Sequence, residues 1–143
     1  MRKQIEAIFP RLVGTEWKFT SPESKKYNCI AWAADDHSKW WWPHPFYGYW
    51  PPGAPVEETL DAFIQAFSVL GYKVCNDSTL EPGVEKVAIF AKKDGTPTHG
   101  ARQLPSGKWT SKLGNSFDIQ HELEALEAGE YGAVAVIMSR PQS

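Results

Sequence analysis

The sequence predicts an α+β domain built on an antiparallel sheet, and three observations carry that expectation. Short apolar or alternating runs bounded by turn residues recur in the second half, as in "EKVAIFAKKDGTPTHGARQL", "KWTSKL" and "YGAVAVIMSR". Helical periodicity gathers early and late. With 143 residues, 42% hydrophobic and 22% charged, the chain can bury one core, so a single domain over residues 1–143 is expected. It carries no internal repeat, low-complexity tract or long linker.

"RKQIEAIF" places Ile5, Ile8 and Phe9 on one helical face, and "EWKFTS" reads as extended through Trp17 and Phe19. "NCIAWAA" reads as a short apolar helix that Asn28 can cap. A proline-rich aromatic loop, "DDHSKWWWPHPFYGYWPPGAP", follows it. In "VEETLDAFIQAFSVLGY", Leu60, Phe63, Ile64, Phe67 and Leu70 recur at helical spacing, acids crowd the start and Gly71 ends the run. "YKVC" reads as a strand, and two more strands flank a turn at Asp94 and Gly95. "PSG" turns into the strand "KWTSKL". Asp118 then caps an expected helix, "IQHELEALEAG", with Ile119, Leu123 and Leu126 on its core face, before a final buried strand.

The net charge of −2 leaves no footprint for nucleic acid or an anionic membrane. No run approaches membrane-spanning length, and "MRKQIEAIFPRL", carrying Glu6 and broken by Pro10, is no signal peptide. Two cysteines read as reduced thiols and a cytoplasmic setting is expected, with export by a route needing no N-terminal signal left open. The cysteines lie far apart and no His-x₃-His occurs, so no metal or cofactor is implied.

Cys29, at the start of the "CIAWAA" helix, reads either as a nucleophile or as a buried apolar thiol. A nucleophile needs a base, and the base needs an orienting group. Among four histidines, His99 in "GTPTHGARQL" has small neighbours, Gly100 and Ala101, that leave room beside its ring. His37 and His44 flank the aromatic loop, and His121 falls in the first turn of the expected last helix. Cys75 reads as a packing residue, and Arg102 and Lys112 as a solvated strand face.

Cysteine opening an early helix, then histidine on a strand, then a polar residue, resembles the order of the papain-like cysteine peptidase superfamily. The layout of residues 27–118 is most similar to its compact NlpC-type members. The blocks "YNCIAWA", "WWWP" and "HGARQLPSGKWTSKLG" also resemble those of an uncharacterised bacterial family, which implies no activity. The first resemblance implies a papain-like core, with an antiparallel sheet packed against the cysteine-bearing helix. Cys29 is then the nucleophile and His99 the base, with Ser111, Asn115 or Asp118 as orienter. The glutamine that such enzymes carry shortly before the cysteine is absent from "SPESKKYN". The oxyanion donors would instead be the Cys29 N–H with Asn28 or Tyr27.

Seven of the chain's Trp, Tyr and Phe residues fall between Trp40 and Trp50. Trp40, Trp41, Trp42, Tyr49 and Trp50 are expected to divide between packing and a stiff substrate platform. In an extended run Trp41 faces away from Trp40 and Trp42, and it is taken as the exposed member. Two readings result. One is a cysteine hydrolase cleaving an amide, isopeptide or thioester bond in a peptide-like substrate. The other is a non-catalytic module whose aromatic loop holds a peptide, a sugar or a protein partner.

Overall fold

The computed structural model describes residues 1–114 and 116–142. Helix α1 (Arg2–Ile8) and a 3-10 turn at Pro10–Leu12 lead into strand β1 (Lys18–Ser21). Helices α2 (Cys29–Ala33) and α3 (Leu60–Val69) flank the aromatic loop. Strands β2 (Lys73–Cys75), β3 (Val84–Ala91), β4 (Pro97–Gln103), β5 (Trp109–Lys112), β6 (Asp118–His121) and β7 (Ala133–Pro141) follow, with a 3-10 turn at Leu123–Leu126 between the last two. The strands form one seven-stranded sheet in the order β1-β6-β5-β4-β3-β7-β2. Each neighbouring pair of these strands is antiparallel. The fold is α+β.

Both faces of the central strands β3, β4 and β5 are largely buried, and strand alternation decides which residue meets which layer. On one face Ala88, Phe90, Ala101 and Ile119 pack against Ile5, Phe9, Leu12 and the Leu123–Leu126 turn. On the other, Val87, Ile89 and Met138 pack against Ile30 and Ala31 of α2 and Phe63 and Phe67 of α3. Helix α3 follows its sequence closely. Thr59 caps it by accepting the Ala62 N–H at 3.2 Å, Ala62, Phe63, Ala66 and Phe67 are buried, and Gly71 takes φ +95° just past its end.

The expected helix at 119–129 does not form, which corrects that reading. Residues 118–121 are strand β6, bonded to β5 on one side and β1 on the other. The i, i+4, i+7 spacing of Ile119, Leu123 and Leu126 suits a helix, but it suits the observed path equally. Ile119 enters the core as a strand residue, and the 3-10 turn brings Leu123 and Leu126 into the same layer. Completing the ladder between β5 and β1 outweighs the local preference.

Candidate functional site

Three sequence positions converge beneath one face of the sheet. His99 lies opposite Phe90 in the β3–β4 ladder, and Ser111 and His121 follow on β5 and β6 with side chains on the same face. All three are fully buried. His99 Nε2 lies 2.9 Å from Ser111 Oγ, which lies 2.7 Å from His121 Nε2. His121 Nδ1 donates to the Glu122 carbonyl at 2.7 Å.

That carbonyl can only accept, so it fixes every proton along the chain. His121 carries its proton on Nδ1, and its Nε2 accepts the Ser111 hydroxyl. Ser111 Oγ in turn accepts from His99 Nε2–H. A neutral His99 therefore holds its lone pair at Nδ1, where no hydrogen-bond partner lies among the described residues. Burial pushes both histidines toward the neutral form, His99 well below its ordinary pKa and His121 down to about 4. Tyr131 stacks on the His99 ring at 3.9 Å with the planes 7° apart. The Tyr131 loop is held tightly. A Cβ at Gly129 would lie 2.4 Å from a Phe9 ring carbon, and one at Gly132 would lie 2.2 Å from the Ala91 carbonyl oxygen. Tyr131 also lines a cavity of about 390 Å³ together with Ile5, Phe9, Leu113 and Glu130.

Cys29 reaches the sheet from the opposite face. Helix α2 lies over Gly100, where a Cβ would stand 3.2 Å from both Ala33 Cβ and Ile30 Cδ1. The backbone N–H groups of Gly100, Ile30 and Cys29 face the Cys29 sulfur, and the Lys112 charge also favours the thiolate. Burial outweighs them and pushes the thiol up to about 11. The β4–β5 register runs only from Arg102–Thr110 to Gln103–Trp109, so the sulfur meets β4 at Gly100, just before that ladder begins. The expected hydrogen bond between Cys29 and His99 is not formed, because His99 Nδ1 stays unpartnered. A helix N-terminus by itself lowers a thiol pKa, and here desolvation reverses the sign.

Of the three expected orienters, Ser111 is bonded to His99. Asp118 caps no helix and does not bond His99. It sits on β6, where its Oδ2 accepts the Tyr27 hydroxyl at 2.8 Å. Asn115 lies outside the described residues. The side chains named as oxyanion donors are engaged elsewhere, Tyr27 with Asp118 and Asn28 in anchoring the loop. Asn28 Oδ1 accepts the N–H groups of Ala31 and Trp41, and its Nδ2 donates to the Trp41 carbonyl at 2.7 Å.

This anchoring explains a second correction. Trp41 is buried at 4% exposure, its indole N–H donating to Asp36 at 2.8 Å, whereas Trp40 is exposed. Tyr49 packs on Trp41, and Trp42 and Trp50 pack on Phe63 of α3. The open aromatics are Phe46 and Tyr47, 85% and 73% exposed, which the sequence reading left out of the platform. The short "PFYG" turn between prolines was the available signal. His121 was missed because its strand read as a helix. The sequence suggests a solvated strand face for Lys112 and Arg102, yet Lys112 is fully buried, and Arg102, mostly covered, bonds the Trp32 carbonyl and Asp35. Among the described residues no group of three or more His, Cys, Asp or Glu could hold a metal ion, and no helix is long and apolar enough to cross a membrane.

Residues 18–139 match the model of a family described as a domain of unknown function, DUF7689. The chain belongs to this family. The matched segment contains Cys29, His99, Ser111, Lys112 and His121 and leaves α1 outside. No curated protein and no solved structure matches the chain.

Proposed function

We propose that the protein is a papain-like thiol hydrolase acting on an amide, isopeptide or thioester bond. The observation that carries this reading is the buried Nδ1 of His99, which has no hydrogen-bond partner among the described residues. Its lone pair is fixed there by the run through Ser111 and His121 to the Glu122 carbonyl, and His99 directly precedes Gly100, whose amide faces the Cys29 sulfur. Buried acceptors without partners are rare in native proteins, and sites of chemistry are where they recur.

The resting pair is neutral, so the base works during attack rather than before it. Cys29 and His99 come to the sheet from opposite faces, so their meeting point is where β4 and β5 part beyond the Arg102–Thr110 pair. As substrate binds, sulfur and Nδ1 close to hydrogen-bond reach through that opening. The thiol proton passes to Nδ1 while sulfur attacks the carbonyl carbon. Nε2–H stays on Ser111 and holds the ring's orientation, and the Tyr131 face stabilises the imidazolium. The proton on Nδ1 then goes to the leaving amine or thiol. Water, deprotonated by the same nitrogen, releases the acyl group and restores the thiol.

The test is alkylation of the intact chain by iodoacetamide, read separately at each cysteine by mass spectrometry. His99→Gln is expected to slow Cys29 at least tenfold while the Cys75 rate stays constant. An unchanged Cys29 rate in folded His99→Gln removes the base, and the reading with it. The exposure of Phe46 and Tyr47 favours a second reading, a non-catalytic module gripping a partner through the loop tip. Under that reading, Phe46→Ser with Tyr47→Ser abolishes partner binding, and Cys29→Ala leaves it intact.

A further inference from the structure

We propose that Lys112 is a positioning residue for the Cys29 thiol, a buried ammonium that stabilises negative charge on sulfur as the proton leaves. The inference rests on the reading of Cys29 as nucleophile and names the group that offsets its burial.

Lysine is rarely fully buried without a counter-charge. Lys112 Nζ donates to the Ser24 carbonyl at 2.7 Å and the Gly114 carbonyl at 2.8 Å, and it stands 5.1 Å from the centre of the Tyr27 ring. An ammonium has three N–H donors, and those two carbonyls take two of them. Asp118 lies directly opposite in the β5–β6 ladder, yet among the described residues no ion pair joins it to Lys112. Its Oδ2 is taken by Tyr27 and its buried Oδ1 has no partner among the described residues. The charge on Lys112 is thus held in place by neutral carbonyls and left without a direct carboxylate.

The packing aims that charge at Cys29. Trp32 Nε1 bonds Thr110 Oγ1 at 2.9 Å, which lays α2 along β5. Thr110 and Lys112 share a strand face, and the antiparallel register that sets Arg102 against Thr110 brings Gly100, whose amide faces the Cys29 sulfur, level with Lys112. The two groups also influence each other's ionisation, lysine favouring thiolate and thiolate favouring ammonium. The other ionisable groups around this pair are Glu23, Tyr27 and Asp118 beside the lysine and Tyr131 toward the sulfur.

The experiment is the iodoacetamide rate at Cys29 in the full chain at pH 8 to 10, where the rate follows the thiolate fraction, with Cys75 as internal reference. Lys112→Met is expected to slow Cys29 at least tenfold, and Lys112→Arg to retain most of the rate. Asp118→Asn, which removes the carboxylate that shares the lysine's charge, is expected to accelerate it severalfold. Opposite signs are the signature of charge, since loosened packing would accelerate alkylation in every variant. Shifts of the same sign, or no shift, overturn the inference. If Lys112→Met does not fold, Lys112→Arg and Asp118→Asn still decide it. A Lys112-dependent rate that His99→Gln leaves unchanged would sink the hydrolase reading and leave the lysine's role standing.

Discussion

Acid should destabilise this protein through its two buried histidines before its carboxylates matter. His121 is held down to about 4 from an ordinary value of 6.5, and burial is the leading cause. An unfolded chain binds a proton at that imidazole as pH falls below about 6.5, whereas the folded chain refuses it until about pH 4. Its contribution is therefore fully present above pH 6.5 and declines as the pH drops. Between pH 7 and pH 4.5 the lost stability from His121 alone is about 2.5 kcal/mol, and His99, shifted in the same direction, adds to it. With an unfolding entropy of about 2.1 cal/mol/K per residue, 143 residues give about 0.3 kcal/mol/K, so His121 alone lowers Tm by about 8 °C. Asp36, Asp77 and Asp94 are held below the usual carboxylate range, so their share is lost only at more acidic pH. Urea unfolding at pH 7, 6, 5 and 4.5 measures the effect, with His121→Asn reducing the proton uptake by about one. A flat profile across that window would refute the neutral, buried histidines and the proton assignment built on them.

Three further outcomes follow from the same packing. Ser111→Ala leaves a buried donor on His99 and a buried acceptor on His121, and should cost about 2–4 kcal/mol in denaturant unfolding. Gly100→Ala forces a methyl to within 3.2 Å of Ile30 and Ala33, and should destabilise by about 1–3 kcal/mol, with a changed Cys29 alkylation rate as α2 shifts. Trp41→Ala should cost about 3–5 kcal/mol. Trp40→Ala should stay within about 1 kcal/mol, and equal costs for the two tryptophans would contradict the packing of the loop.

The parts legible in the sequence were those governed by local signals. α3 announced itself by period, cap and terminal glycine, and the β3–β4 hairpin by its Asp94–Gly95 turn. The resemblance offers Ser111, Asn115 and Asp118 alike as partners of His99, and only the pairing of the strands brings Ser111 to its ring. Residues whose roles depend on distant partners were not legible. His121 and Asp118 belong to a strand only because β1 and β5 need one between them. Lys112 looked like a surface residue because nothing local shows that α2 and the segment at Ser24 will cover it. Trp41 was assigned outward because alternation alone could not show that Asp36 would receive its indole N–H.

The position of β7 governs how the chain must assemble. It lies between β3 and β2, and its pairing with β3 runs from Val84–Pro141 to Ala91–Ala133. A ribosome can release the β3–β4 hairpin early, but β2 gains its sheet partner only after residues as late as Ser139 have emerged. Strand β1, from near the start, likewise waits for β6. Both outer strands are thus made long before the neighbours that satisfy them, and such distant pairings slow folding. During synthesis the exposed edges of a half-built sheet are open to wrong partners, so early release of a shortened chain should yield aggregates rather than a smaller folded core.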